Sequence, residues 1–418
     1  MIDISILDNP VQEYAWGSRT AIPELLGTEK NGKPRAELWM GAHPKAPSFI
    51  ACQGENISLA AAIEKYPEEI LGKTVCEKFG GKLPYLFKVL AAAKPLSIQA
   101  HPDRAQAEAG FARENRNHIP MQAAKRNYKD DNHKPECICA LTDFWVLRGF
   151  REISDIIALM AHICPKTSGK LRDILKNRGN GAGLHGFFRE LMGMKENSRT
   201  DIIRESLCSA RQYSQQPEQA PEAARIFYPD IYHWLIRLHS FYPWDIGVLG
   251  PLFLHLLCLK PGQAMFLPAG ELHSYLGGTG IELMANSDNV LRGGLTPKHR
   301  DLPELLRVLR FTSRTPEILS PESRSEYEEV YPSYAEEFLL SMIRIPPPVA
   351  ALFQNDSAEI LLCTRGKGKI SGKGKEFSLQ KGMSVLIPAD TGRYRLSGDA
   401  VFYRAAVPAE KHRESQRY

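Results

Sequence analysis

A chain of 418 residues with 43% apolar and 24% charged content is long enough for two or three ordinary globular domains. Its formal charge of +5 is small for that length and spread along the chain, which argues against a nucleic acid partner yet leaves room for a basic pocket that takes an anionic metabolite. The opening residues lack the basic start and apolar run of a secretory signal, and no stretch approaches a membrane span, so a cytoplasmic protein without a membrane partner is expected.

From Asp8 to Ile50, frequent Gly and Pro predict short strands and turns around Trp16-Gly17 and Ala36 to Pro44. A helix is expected from about Ser58 to Leu71, then strands over Leu83 to Val89 and Leu96 to His101. In the second strand alternation puts Ser97, Gln99 and His101 on one face and Leu96 and Ile98 on the other. Gln99 and His101 thereby offer an oxygen and an imidazole nitrogen to one metal ion, which is half a site. Asp103 can cap a helix running from Arg104 to about Asn115. The run Asn127 to Glu136 ends in His-Lys-Pro-Glu, where Pro135 biases Lys134 toward extended backbone and sets how Glu136 enters a strand reaching Leu147.

Between residues 151 and 244 the periodicity turns helical and suggests an inserted helical domain. Ile153, Ile156, Ile157 and Met160 share a face, and further helices are expected over Leu171 to Lys176, Leu184 to Met194, Asp201 to Arg211 and Ile231 to Leu238. A polar loop is expected from Gln212 to Pro221, and His233 and His239 read as structural. After Asp245 the chain is β-rich and repeats itself: Leu259, Gly262, Pro268 and Ala269 recur 120 residues later as Leu379, Gly382, Pro388 and Ala389. His273 corresponds to Arg393 in the second copy, so only the first copy can supply that ligand. A helix capped by Asp301 and reaching Leu309, a connection from Ser320 to Glu336 and a frayed tail after Pro408 complete the chain. The eight cysteines form no Cys-x-x-Cys pair and read as reduced core residues.

Glu136 and His273 would complete with Gln99 and His101 an N2O2 set, suited to zinc and acceptable to manganese or iron. The alternative is that these side chains only satisfy one another by hydrogen bonds, since no local motif such as H-E-x-x-H is present.

The chain resembles the type I mannose-6-phosphate isomerases (phosphomannose isomerases). The matching stretches are Gln99-Ala100-His101-Pro102-Asp103, Asn127 to Glu136, Pro268 to Tyr275 and Glu282 to Lys298, with Tyr14 to Gly17 and Ala36 to Gly41 also familial in wording. The resemblance implies a mainly β fold, a cupin-type (jelly-roll) double β-barrel with an inserted α-helical domain. Residues 1–150 and 245–320 would form the catalytic cupin domain, 151–244 the helical insertion, and 321–418 a cupin-like β domain without a metal site. It implies one zinc ion per chain on Gln99, His101, Glu136 and His273, and a monomer acting on a sugar phosphate. The implied reaction interconverts mannose 6-phosphate and fructose 6-phosphate by proton transfer between C1 and C2 through a cis-enediol. That chemistry needs a base, a cation at the enediolate oxygens and a cationic phosphate pocket.

Arg292 matches the arginine the family assigns to catalysis, with a salt bridge to Asp288 as its structural alternative. Lys134, two before Glu136, would project near the metal, and Glu282 is a second candidate for the proton-moving group. Tyr275, on the face of His273, is a candidate substrate donor, and Ser97, Lys88 and Lys298 are candidate phosphate ligands. Departures from the family wording occur at Ser274 and at Thr142 to Gly149, where Trp145, Val146 and Arg148 stand. A cupin oxygenase and a non-catalytic sugar-phosphate sensor are the competing readings. The first would use more histidine, and the second would not need Lys134 and Arg292. No nucleotide-sugar transferase signature is present.

Overall fold

The structure, a computed structural model, describes residues 2–52, 54–216 and 229–408. The predicted tail after Pro408 lies outside these residues, as does the predicted loop beyond residue 216. Two antiparallel sheets dominate, one of ten strands and one of nine. At the centre of the first is the strand His273–Ala285, which exchanges partners midway. Its first half pairs with Phe144–Phe150, and its second half with Tyr85–Ala92 on one side and Glu136–Ala140 on the other. The change occurs at Gly277 and Gly278. Gly278 has a φ of 121°, and a Cβ there would stand 2.5 Å from the Asp143 carbonyl, so glycine is required. This strand therefore brings the segments carrying Gln99, Glu136, Lys88 and Arg148 around His273 and Glu282.

Several expectations are corrected. The helix expected from Ser58 is two helices, Leu59–Lys65 and Pro67–Leu71, because Pro67 starts a new first turn. Helices Ala21–Leu26 and Lys73–Phe79 were not expected. The strand expected from Pro135 to Leu147 is split by a turn into Glu136–Ala140 and Phe144–Phe150. Residues 212–215 continue the helix Glu196–Gln215 instead of forming a loop. The strand Ser5–Ile6 pairs with Ser384–Ile387, so it joins the nine-stranded sheet and not the ten-stranded one that the strands next in sequence join.

Among the described residues from Ile153 to Phe241, five helices cover the first sheet. They share one apolar cluster with it: Ile98, Ala100, Leu147, Leu272 and Leu291 pack with Leu159, Phe187, Trp234 and Leu235. The two sheets are joined similarly, since Phe87, Val89, Cys137 and Ile281 pack with Leu340, Ile360, Leu362 and Tyr403. All eight cysteines are free.

Register places the two sheets in step. Glu136 faces Leu267 as Glu359 faces Ile387, and His273 faces Gln99 as Arg393 faces Gln354. Glu282 faces Lys88 as Arg404 faces Ser341. Arg404 thus occupies the place of a carboxylate. It is 3% exposed and paired with Glu328 and with Glu359 at 3.3 Å, and Tyr394 donates to Glu359 at 2.7 Å. Arg404→Met should leave buried Glu359 without its paired cation and Glu328 with only Arg324 at 3.8 Å, a loss of about 3–5 kcal/mol. A clear fall in the unfolding midpoint with zinc content unchanged is the expected result; an unaltered midpoint would show the pair to be dispensable.

Candidate active site and metal centre

Ile98–Ala100 is a strand of only three residues. Ile98 and Ala100 enter the core shared with the helices, which turns Gln99 and His101 the other way. Leu96 precedes the strand and packs in a separate cluster, so alternation does not extend back to it. Ser97 Oγ nevertheless lies 3.5 Å from Gln99 Oε1, on the same side.

His101, Glu136 and His273 come together with their ligand atoms within 4.8 Å of one another, and each is at most 2% exposed. His101 Nδ1 is 2.6 Å from the Asn289 carbonyl and His273 Nδ1 is 3.1 Å from the Glu271 carbonyl. Each Nδ1 is therefore the donor, which fixes the tautomer and leaves each Nε2 with a lone pair. Both Nε2 atoms aim at Glu136, at 3.4 and 3.3 Å. His101 Nε2 and Glu136 Oε2 are buried without any hydrogen bond among the described residues, as a site built for a cation requires. Gln99 Nε2 is 3.4 Å from His273 Nε2, and exchange of its amide ends would bring the oxygen there. The residues present fit a divalent ion held by two imidazoles, a carboxylate and an amide oxygen.

Lys134 Nζ sits 2.8 Å from Glu136 Oε1. Burial would raise the Glu136 pKa, but Lys134 and the imidazoles outweigh it and hold the carboxyl well below its usual range. Burial, reinforced by Lys134, lowers His101 to about 4, so its imidazole is neutral and ready to ligate at neutral pH.

Lys88, an expected phosphate ligand, stands in a buried network. Its ammonium is 3.0 Å from Glu282 and 3.8 Å from Glu37, and Glu37 accepts from the Trp39 indole at 2.7 Å. Burial pulls the Lys88 pKa down, but the two carboxylates outweigh it and raise it. Glu282 is 3% exposed, and burial pushes its carboxyl up despite Lys88. Tyr275 packs in the core, its ring 5.4 Å from Phe144, while its buried hydroxyl near Glu282 has no hydrogen bond among the described residues.

The salt bridge considered for Arg292 is absent. Asp288 pairs with Lys45 at 2.7 Å and lies 3.6 Å from His43. Arg292, half-buried with its pKa lowered by burial, has no side-chain partner among the described residues. Lys298 is similarly unpartnered, and burial and the Arg292 charge both lower its pKa, so two free cations are neighbours.

Sequence reasoning missed three supports. Asn289, fully buried, receives His101 through its carbonyl and binds Lys129 N and the Asp130 and Asn132 carbonyls through its side chain, locking two loops together. Glu37 gave a signal, as a carboxylate in the buried strand Glu37–Met40 must have a partner. Glu337 reaches over from the nine-stranded half to His133 at 2.7 Å and Arg104 at 2.9 Å, three residues from Glu136 and His101 respectively. Nothing local in the sequence announces that contact.

Residues 4–153 match the protein-family model for phosphomannose isomerase type I, catalytic domain, and residues 327–407 that for mannose-6-phosphate isomerase, cupin domain. Mannose-6-phosphate isomerase of Salmonella typhimurium is 41% identical over 397 residues, covering 94% of this chain and 96% of the relative. Two crystal structures of the Salmonella typhimurium protein superpose over 98% of this chain and 100% of their own at 38% identity. A single-residue variant has a TM-score of 0.88. The protein bound to its substrate fructose 6-phosphate and to zinc has a TM-score of 0.86.

Proposed function

This chain belongs to the type I phosphomannose isomerase family, a zinc-dependent isomerase of mannose 6-phosphate and fructose 6-phosphate, and on that premise we propose how its residues divide the reaction. The observation that carries the reading is the convergence of both Nε2 lone pairs on the Glu136 carboxylate, with Arg292 on the neighbouring strand in register with Gln99. Gln99, His101, Glu136 and His273 hold the zinc. Bound there, zinc supplies a Lewis acid for the sugar oxygens that become anionic.

The two sugars differ by one proton moved between C1 and C2, through a cis-enediol. Glu282 is the proposed carrier of that proton. Burial raises its pKa, which favours uptake of the proton, and Lys88 at 3.0 Å offsets the charge it bears when ionised. Tyr275 adds a hydroxyl beside it. Lys134 keeps Glu136 ionised, and its remaining donors are available to a sugar oxygen. Arg292 faces the enediolate, where its charge counts for most because it is already partly desolvated. Lys298, beside Arg292, and Ser97, beside Gln99, are proposed for the phosphate.

The finer fold belongs to the same reading. The two sheets are taken as cupin-type barrels related by duplication, the first interrupted by the helical segment and the second having lost the metal set when arginine took the place of His273. The matched registers support this.

The test is fructose 6-phosphate formation from mannose 6-phosphate before chelation, after it, and after zinc is returned. Loss on chelation with recovery on zinc return is expected. Absence of turnover by zinc-loaded protein would overturn the reading.

A further inference from the structure

A cavity of about 400 Å³ lies beneath the segment that follows the helix Leu302–Val308, and none of its lining residues is a metal ligand or a proposed catalytic side chain. Three guanidinium groups, Arg148, Arg310 and Arg314, line it, with Phe266 and Tyr334 as an aromatic wall. Phe266 points to the opposite face of its strand from Leu267, the register partner of Glu136, so this wall looks away from the metal centre.

The donors in this cavity are only partly satisfied. Glu271 gives one oxygen to Arg148 Nε at 2.5 Å and the other to Arg314 Nη2 at 2.9 Å. Arg148 Nη1 donates to the Glu317 carbonyl at 3.0 Å, while its Nη2 has no partner among the described residues. Arg148 is 4% exposed, and a guanidinium buried to that degree needs acceptors for its remaining hydrogens. Arg310, held through its backbone N–H to the Gly270 carbonyl at 2.9 Å, has no side-chain partner among the described residues. Glu317, at the margin, leaves the cations in excess.

We propose that this cavity is a second binding site, for a small organic anion carrying a flat apolar group. A carboxylate or phosphate monoester would take the remaining Nη2 donor of Arg148 and the free planar fork of Arg310. The ring would lie on Tyr334, which is 63% exposed and edge-on to Phe266 at 5.6 Å. The volume suits a ligand of metabolite size.

The probes are phenyl phosphate, benzoate and inorganic phosphate, titrated calorimetrically into the zinc-loaded full chain. Phenyl phosphate and benzoate should both saturate the wild type, with inorganic phosphate weaker for want of a ring. Arg310→Ala, an exposed position whose backbone contact survives, should weaken phenyl phosphate by about tenfold or more, one charge-assisted hydrogen bond, with isomerase activity unchanged. Tyr334→Ala should weaken phenyl phosphate and leave inorganic phosphate unaffected. Arg292→Ala should leave phenyl phosphate affinity unaltered, which separates this site from the catalytic one. The proposal is overturned if phenyl phosphate shows no saturable binding below about 10 mM, the weak end for a ligand of that size. It is overturned equally if affinity is unchanged in Arg310→Ala, or if it is lost in Arg292→Ala instead.

Discussion

Purified Glu136→Gln protein is expected to retain less than about a tenth of the wild-type zinc against a competing chelator, since even residues behind the ligands cost 10- to 100-fold in metal affinity. Turnover should fall at least about a thousandfold, the several kcal/mol that a bound cation contributes to an anionic transition state. The substitution keeps the shape and removes the charge. Glu136 lies between Lys134 at 2.8 Å and two imidazole nitrogens at 3.3 and 3.4 Å, all of them buried. An amide in its place would turn an NH2 toward one of these groups and leave the Lys134 ammonium without its anion. Excess zinc should therefore restore little activity, because the affinity and the local electrostatics fail together. Metal analysis after dialysis, together with rates at saturating zinc, checks this. Normal zinc content in Glu136→Gln would remove Glu136 from the ligand set, and wild-type turnover at restored zinc would mean that its charge has no part beyond holding the ion.

The cluster of His101, Glu136 and His273 that could hold a metal ion, and the proposed ligand Gln99 beside it, were legible because each residue carries a short-range signal. Gln99 and His101 are separated by one small residue, Glu136 follows a proline, and His273 follows a Pro-Ala pair that recurs 120 residues on with Arg393 in the place of His273. The Asp103 and Asp301 caps were legible for the same reason, since a cap is set by residues within one turn, and both accept from the N–H three residues on. Pro67 was an equally local signal, through which the helix from Ser58 was wrongly continued. The charge network was not legible, because Glu37, Lys88 and Glu282 become neighbours only when three strands far apart in sequence pair. What the sequence did show was a lysine amid Leu86, Phe87, Val89 and Leu90. A charge in such a strand must find a buried counter-charge, which argued against a solvent-facing phosphate ligand. Glu337 on His133 and Ser5–Ile6 in the far sheet depend wholly on how the two halves dock, and no periodicity records that.

Arg292→Ala is expected to bind zinc as the wild type does and to lose about a hundred- to a thousandfold in kcat, the range for one preorganised donor at a developing oxyanion. The premise is that Arg292 has no side-chain partner among the described residues, with Asp288 taken up by Lys45 and His43. A partly desolvated guanidinium without a counter-ion is held by its strand, Leu291–Gly294, in register with Gln99, and is stabilised when negative charge arrives in front of it. If that charge appears only in the transition state, kcat falls and KM for mannose 6-phosphate stays near its original value. If KM rises while kcat is kept, Arg292 belongs with Lys298 at the phosphate and the enediolate assignment fails. Arg292→Lys separates charge from shape: a compact ammonium lacks the planar fork, so partial recovery assigns the role to charge alone and no recovery to two-point contact with neighbouring oxygens. Turnover of Arg292→Ala near the wild-type rate would leave the arginine a structural residue.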